Sequence, residues 1–463
     1  MKALPTRENS SKSDRIKHVQ KTLSARYLAW LALRQVDRQQ AFADIALERV
    51  LANAEVVDGD RRLVTELVYG VTRRRRTLDA LIDRFSRKSA DRQPPNLRLV
   101  LQIGLYQLHC LDRVPEHTAV HETVELARSC RLGKLSGVVN GILRAYLRCN
   151  PDERLPQLDD PIEQLAIAQS YPSWLVQLWW QQLGPTATEE LCRWFNRAPH
   201  IDLRVNTFRC TVESVRDALQ QASISTVLVS EAPEALRLSR SVGAISDLPG
   251  YREGWWSVQD SSAQQVARLL DPQPGELIID CCAAPGGKTT HIAELTEDRA
   301  EIWALDRHVH RLKRLQANAA RLQLQSIQTR AVDLAAPQFD PEGLELPAWG
   351  TSDRVLLDAP CSGLGTLHRH ADARWRQSPE RITELVALQT RLLERAAAWV
   401  KPGGVLVYAT CTMHPEENQQ QLDRFLACHP EWRLDPDASP QTIWPHVSGR
   451  DGFFLARLIL MNR

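Results

Sequence analysis

Two cysteines, each closing an apolar run, set the chemistry this chain can attempt. Cys361 ends the segment Asp358-Ala-Pro-Cys361 and Cys411 ends Ala409-Thr-Cys411, and each follows a run that reads as a buried parallel strand. Both lie downstream of a glycine-rich loop, Asp280-Cys-Cys-Ala-Ala-Pro-Gly-Gly-Lys-Thr-Thr290. In open α/β sheets, ligands gather in the crevice outside the carboxyl ends of the strands. Two thiols at such ends point to covalent catalysis by sulfur. A packed structural thiol is the commoner role for one cysteine alone, and the pairing of motifs is what argues against it here.

The loop between Asp280 and Thr290 joins a strand-like run, Leu277 to Asp280, to a helix. Glycines at such a turn let the backbone approach a ligand, and the helix start offers unpaired N–H groups. That suits a nucleotide cofactor. The ending Gly287-Lys288-Thr289 imitates a phosphate-cradling Walker loop, but the first glycine of that pattern would fall at position 282, which is Cys282. The dinucleotide pattern Gly-x-Gly-x-x-Gly is also missing. ATP hydrolysis and hydride transfer are therefore minor readings. Asp306 closes the second strand about twenty residues past the glycines, where a carboxylate accepts hydrogen bonds from ribose hydroxyls, and Asp333 closes the third in a similar position. Together they suggest a nucleoside without phosphate; for a lone Asp306, capping the next helix would be the ordinary alternative.

The elements that must position these residues follow from periodicity. From about residue 256, strand-like runs (Leu277 to Asp280, Glu301 to Leu305, Ile327 to Val332, Arg354 to Leu357, Val405 to Ala409, Phe453 to Ile459) alternate with helical segments, which predicts a doubly wound parallel sheet. Residues 21–150 predict a bundle of five or six amphipathic helices, the first capped by Ser24. Pro151, Pro156 and Pro161 among acidic residues mark a linker, and strand-like Ile201 to Val205, helix-like Val212 to Gln220 and strand-like Ile224 to Val229 predict a small α+β subdomain within 151–255. His109, His117 and His121 show no ligand spacing and read as structural or surface residues.

Composition narrows the class. The chain has 463 residues with 43% hydrophobic and 25% charged, no stretch of about eighteen uncharged apolar residues, and no amino-terminal apolar segment, so a cytoplasmic protein without membrane contact is expected. Ten scattered cysteines without Cys-x-x-Cys pairs argue against disulfide scaffolds and metal sites. The net charge of +2 hides an asymmetry. Residues 1–150 hold 27 Lys and Arg against 16 Asp and Glu, while the remainder holds 31 against 40. The basic end, with Arg73-Arg-Arg-Arg76 and a lysine-bearing flexible leader over 1–20, suits a polyanion such as RNA, although a solvated helix end would look similar.

The blocks Asp280 to Lys288, Asp358-Ala-Pro-Cys361, and Thr410-Cys411 with His414-Pro-Glu-Glu-Asn418 resemble the S-adenosylmethionine-dependent RNA 5-methylcytosine methyltransferases of the Nop/Sun class. Leu111-Asp-Arg-Val-Pro-Glu-His117 and Val139-Asn-Gly-Ile-Leu-Arg144 are similar to NusB-like RNA-binding domains, and Arg204-Val-Asn206 matches a phrase that precedes the catalytic domain in the class. The resemblance covers roughly residues 20–463. It implies a NusB-like bundle (21–150), the small α+β subdomain (151–255) and a Rossmann-like class I methyltransferase domain (256–463). In this order, the domains resemble the branch acting on bacterial small-subunit (16S) ribosomal RNA, as a monomer.

The same resemblance distributes the roles. Cofactor binding falls to Cys282, Ala283, Ala284, Pro285, Gly286, Gly287, Lys288, Asp306, Asp333 and Asp358, with S-adenosylmethionine as cofactor and no metal. Carbon 5 of cytosine is too weak a nucleophile to take a methyl group until a thiolate adds to carbon 6. The resemblance assigns that attack to Cys411, resolution of the adduct to Cys361, and the N3 edge of the base to Asp358. Glu416, Glu417 and Asn418 are candidates to hold the loop after Cys411. DNA cytosine methyltransferases use the Pro-Cys cysteine instead, here Cys361, and their long recognition insertion is missing. Two rivals remain: a transfer RNA 5-methylcytosine methyltransferase with the same catalytic domain, and a non-catalytic RNA-binding assembly factor, which the full set of motif residues disfavours.

Overall fold

The computed structural model describes residues 23–39, 41–239 and 242–462, so the leader over 1–20 lies outside the described residues. The chain divides into two compact units, residues 1–156 and 157–463.

The first unit is helical: α1 (Ala25–Gln39), α2 (Ala43–Ala52), α3 (Asp58–Arg73), α4 (Arg75–Phe85), α5 (Pro95–Cys110), α6 (Glu116–Ser129) and α7 (Ser136–Arg148). Among the described residues there are seven α-helices rather than the five or six expected, and the Arg run does not sit beside one helix but spans the junction of α3 and α4. Arg73 is buried there, and Arg75 pairs with Asp37 at 3.6 Å. Only part of the run faces water. The Ser24 hydroxyl accepts from the Tyr27 amide at 3.3 Å, the cap expected for α1. His109 is half-buried with Nδ1 3.0 Å from the Tyr146 hydroxyl, and this partial burial pushes its pKa down to about 4. It is a structural, neutral histidine.

The second unit opens with α8 (Pro161–Gln169) and α9 (Ser173–Phe195), the latter broken at Gly184 just before Pro185, which cannot continue the hydrogen-bond ladder. A four-stranded antiparallel sheet follows, built from β1 (Asp202–Val205), β2 (Thr226–Val229), β3 (Ala232–Leu238) and β4 (Trp256–Val258) in the order β2-β3-β1-β4, with α10 (Val212–Gln221) against it. Trp256–Val258 sits beside β1 rather than opening the larger sheet that the sequence suggested from 256 onward.

The larger sheet comprises β5 (Leu277–Asp280), β6 (Glu301–Asp306), β7 (Ile327–Ala331), β8 (Ser352–Asp358), β9 (Val400–Thr410), β10 (Trp432–Leu434), β11 (Gln441–Ile443) and β12 (Phe453–Leu460). Its order is β10-β12-β9-β8-β5-β6-β7, with β11 also pairing β12. Strands β5 to β9 run parallel, whereas β10, β11 and β9 all pair antiparallel with β12, so the sheet is mixed rather than wholly parallel. The helices around it are α11 (Ser261–Leu270), α12 (Gly287–Leu295), α13 (Val309–Leu322), α14 (Pro379–Trp399) and α15 (Gln419–Cys428). Because side chains alternate along a strand, Ile279, Val355, Leu357, Leu406 and Tyr408 pack with α14 on one face, while Ile278, Leu356, Val407 and Ala409 pack on the other with Val266 of α11. Burial on both faces explains why these strands read as unbroken apolar runs.

Candidate functional site

All five parallel strands deliver a candidate residue at their carboxyl ends: Asp280, Asp306, Asp333 two residues past β7, Asp358 and, directly after β9, Cys411. β5 pairs with both β6 and β8, so the chain reverses its direction of growth there. That reversal opens the crevice in which α/β sheets bind ligands.

The loop from Cys281 to Gly286 is held from below. The Thr289 hydroxyl donates to Asp280 Oδ2 at 2.7 Å, and burial pushes the Asp280 carboxyl up to about 7. Its Oδ1 is buried with no partner. Gly286 has φ +105°, and a Cβ there would lie 2.5 Å from the Leu315 side chain, so the turn into α12 needs glycine. Arg204, fully buried on β1, reaches the same helix: it pairs with Glu294 at 2.7 Å and donates to the Thr290 hydroxyl at 3.0 Å and to the Gly287 carbonyl. The small sheet therefore fixes the start of α12.

Asp306 is buried, and its carboxylate accepts from the His308 amide at 2.8 Å and from Arg311 at 3.2 Å. The side chain thus holds the loop that leads into α13. Asp333 is exposed and accepts from the Ala335 amide at 3.0 Å. The orphaned Asp280 Oδ1, the glycine turn, the amides opening α12 and the Asp306 carboxylate fit a nucleoside cofactor, and no cradle of Walker spacing is present among the described residues.

Lys288 Nζ donates to Asp358 Oδ2 at 2.6 Å and lies 5.2 Å from the Phe453 ring centre. Burial is the largest influence and works to lower its pKa, but the charge and hydrogen bond of Asp358, with Cys411 and Asp280, together hold it above the ordinary lysine value. Lys288 is thus within electrostatic reach of the Cys411 sulfur.

The two predicted thiols meet: Cys361 Sγ and Cys411 Sγ lie 3.4 Å apart. Contact with Cys411 and then burial push the Cys361 thiol well above its usual range. The contact is built by residues around it. Glu417, fully buried, accepts from the Ser362 amide at 2.9 Å, from the Ser362 hydroxyl at 2.5 Å and from Gln389 Nε2 at 2.9 Å. The Ser362 and Thr412 hydroxyls lie 2.8 Å apart, and Asn418 bonds Thr410 Oγ1 and the Thr412 carbonyl. Gly365 donates to the Cys411 carbonyl at 2.9 Å.

Among the residues sequence reasoning named, Cys361, Cys411, Asp358 and Lys288 form this cluster, and Glu417 and Asn418 hold the loops. Glu416 is exposed. Ser362, Gln389, Arg311 and Phe453 were missed. Gln389 left a signal, a polar residue among Leu385, Leu392, Leu393 and Ala396 on the buried stripe of α14.

Comparison with known proteins bears on the whole chain. Residues 267–459 match the model described as 16S rRNA methyltransferase RsmB/F, residues 23–148 the NusB family, and residues 171–244 the ferredoxin-like domain of RsmF/B-like methyltransferases. The probable ribosomal RNA small subunit methyltransferase B of Synechocystis is 47% identical over 94% of this chain and 99% of its own length. The chain belongs to the ribosomal RNA small subunit methyltransferase B family. The probable member from Bacillus subtilis is 34% identical over 95% of this chain and 99% of its own. The family member from Serratia proteamaculans is 37% identical over 94% and 98%. Among solved structures, the crystal structure of PH0851 is 27% identical, covering 94% of this chain and 99% of its own with a TM-score of 0.77. A methyltransferase homolog from Pyrococcus horikoshii is 26% identical, covering 66% of this chain and 100% of its own at a TM-score of 0.57.

Proposed function

We propose that this protein methylates carbon 5 of one cytosine in small-subunit ribosomal RNA, using S-adenosylmethionine and a covalent adduct of Cys411 with carbon 6. The observation that carries the reading is the 3.4 Å contact of two thiols at adjacent parallel strand ends, beside a lysine–aspartate pair and a nucleoside-type loop. Full-length relatives that are small-subunit ribosomal RNA methyltransferases support the substrate, and the basic NusB-like unit supports RNA as the ligand.

The residues divide the work. Cys282, Ala283, Ala284, Pro285, Gly286, Gly287, Asp306 and Asp333 would hold the cofactor, which supplies an electrophilic methyl group. Contact with Cys411 and burial keep the proton on Cys361, which leaves Cys411 as the attacking sulfur, its own proton passing to solvent. Cys411 Sγ adds to carbon 6, and the electron pair of the C5–C6 double bond moves to carbon 5, which takes the methyl group. A proton from solvent adds at N3 as charge develops there, is held by the Asp358 carboxylate that Lys288 orients, and returns to solvent when the ring is restored. The carbon 5 proton then passes to solvent, its bonding pair re-forms the double bond, and the C6–S bond breaks. The Cys361 S–H donates to the departing Cys411 thiolate. The target base must leave its stack to reach these atoms, so a single-stranded or looped stretch of RNA is the substrate form.

The test is labelled methyl transfer from S-adenosylmethionine to naked small-subunit ribosomal RNA, assembled small subunits and transfer RNA, with the modified position mapped. A single 5-methylcytosine in naked ribosomal RNA is expected. Labelling of transfer RNA alone would overturn the substrate, and no transfer to any RNA would leave the assembly-factor reading.

A further inference from the structure

A groove of about 280 Å³ opens beside the catalytic loops of the larger unit. One wall is α9, where Trp174, Gln177 and Gln181 recur three and four residues apart and so share a helical face. Ile382, in the first turn of α14, lies opposite, and His414 and Glu416 close the groove from the segment that leaves Cys411. The wall is tied to that segment, since Gln182 Nε2 donates to the Met413 carbonyl at 3.4 Å.

The lining has a definite chemistry. Trp174 is half-buried with its inner side packed on the core, while Gln177 and Gln181 are exposed. His414 Nδ1 accepts from the Glu416 amide at 3.3 Å, which leaves the ring proton on Nε2 and makes that nitrogen a donor. Burial lowers the His414 pKa, although Glu417 and Glu416 oppose the shift, so the ring is neutral near pH 7. No Lys or Arg lines the groove and Glu416 adds a negative charge, which is unfavourable for a phosphate. An aromatic face flanked by two amides and an imidazole donor suits a nucleobase, which presents one stacking face and a mixed donor–acceptor edge.

We propose that this groove holds a base of the substrate RNA adjacent in the strand to the target cytosine, and so reads the sequence context of the modified position. The proposal rests on the RNA 5-methylcytosine reading above. It follows from continuity: the peptide that carries Cys411 becomes the groove wall three residues later, so a strand with its cytosine at Cys411 passes the groove within a nucleotide or two.

The test uses the full-length protein and short RNAs spanning the mapped cytosine, with an abasic nucleotide placed at each neighbouring position in turn. Methyl-transfer kcat/KM is compared for wild type, Trp174→Leu and the double variant Gln177→Ala/Gln181→Ala, whose exposed side chains spare the fold. Wild type should lose roughly ten- to a hundredfold at one neighbouring position, the range of base–aromatic stacking. Trp174→Leu should lose a comparable factor on intact RNA and little more on that abasic RNA, with KM for S-adenosylmethionine unchanged. The double glutamine variant should show the same non-additivity with a smaller loss. A wild type that methylates cytosine yet tolerates every abasic neighbour, or losses that simply multiply, would overturn the groove's role alone. A wild type that methylates no RNA would overturn the catalytic reading first.

Discussion

Glu417 spans the two catalytic loops by accepting both the amide and the hydroxyl of Ser362, the residue after Cys361, at 2.9 and 2.5 Å. Glu417 itself lies six residues past Cys411, so its one buried carboxylate sets the register between the two thiols. It acts as a positioning residue, since its contacts are with the loops.

Glu417→Gln keeps the size but removes the charge and replaces one of the two oxygens that accept from Ser362 with a donor. A buried hydrogen bond to a charged group contributes about 1.5–3 kcal/mol, so unfolding stability should fall by about 2 kcal/mol. Methyl-transfer kcat should fall more than tenfold while KM for S-adenosylmethionine holds. Steady-state kinetics with denaturant unfolding checks this, and an unchanged kcat would contradict the clamp.

Gly365→Ala addresses the same contact through the backbone. A Cβ there would lie 1.9 Å from the Gly452 carbonyl oxygen and 2.8 Å from that of Cys411, and neither is a movable side-chain end. The variant should be destabilised by about 3 kcal/mol or more and nearly inactive. Soluble protein with normal kcat would refute the close approach.

Asp280 gives a pH dependence with a definite sign. Burial raises its pKa from 3.8 to about 7, so between these values the folded state holds a proton that the unfolded state has released. This contribution to stability is complete below the unfolded pKa and is lost as pH rises toward 7, by at most about 1.4 kcal/mol per pH unit. Asp280→Asn should remove that slope in denaturant titrations taken at intervals between pH 4 and 7. Parallel curves for the two proteins would show that the carboxyl is ionised throughout.

Deleting residues 1–156, the first compact unit, should weaken RNA binding roughly tenfold or more and flatten its salt dependence, while S-adenosylmethionine binding is retained. Equal RNA affinity at low and high salt for the two proteins would remove the docking role of the basic unit. Because Arg73 is buried and Arg75 pairs with Asp37, substitutions of other exposed basic residues should matter as much as the arginine run.

Much of the fold was legible because the apolar stretches of β5, β8 and β9 are buried on both faces. The three-residue strands β4, β10 and β11 were not legible, being too short for a period, and the partner of β4, β1, lies about fifty residues upstream. The two cysteines were readable from motifs, since each follows within three residues of a strand's end. Their support was only partly so: Ser362 and Glu417 are 55 residues apart, and Arg204 lies 90 from Glu294. Nothing in local sequence couples positions so distant; only the folded sheet does.

The central claim is that Cys411 makes the bond to carbon 6 while Cys361 promotes its release. Incubating Cys361→Ala with substrate RNA and S-adenosylmethionine, digesting the product and locating any cross-linked cytidine by mass spectrometry tests it most directly. A protein–RNA adduct on Cys411 that accumulates in Cys361→Ala and is lost in Cys361→Ala/Cys411→Ala is the expected result, with Cys411→Ala inactive in methyl transfer. An adduct on Cys361 in Cys411→Ala, or full activity in that variant, would contradict it.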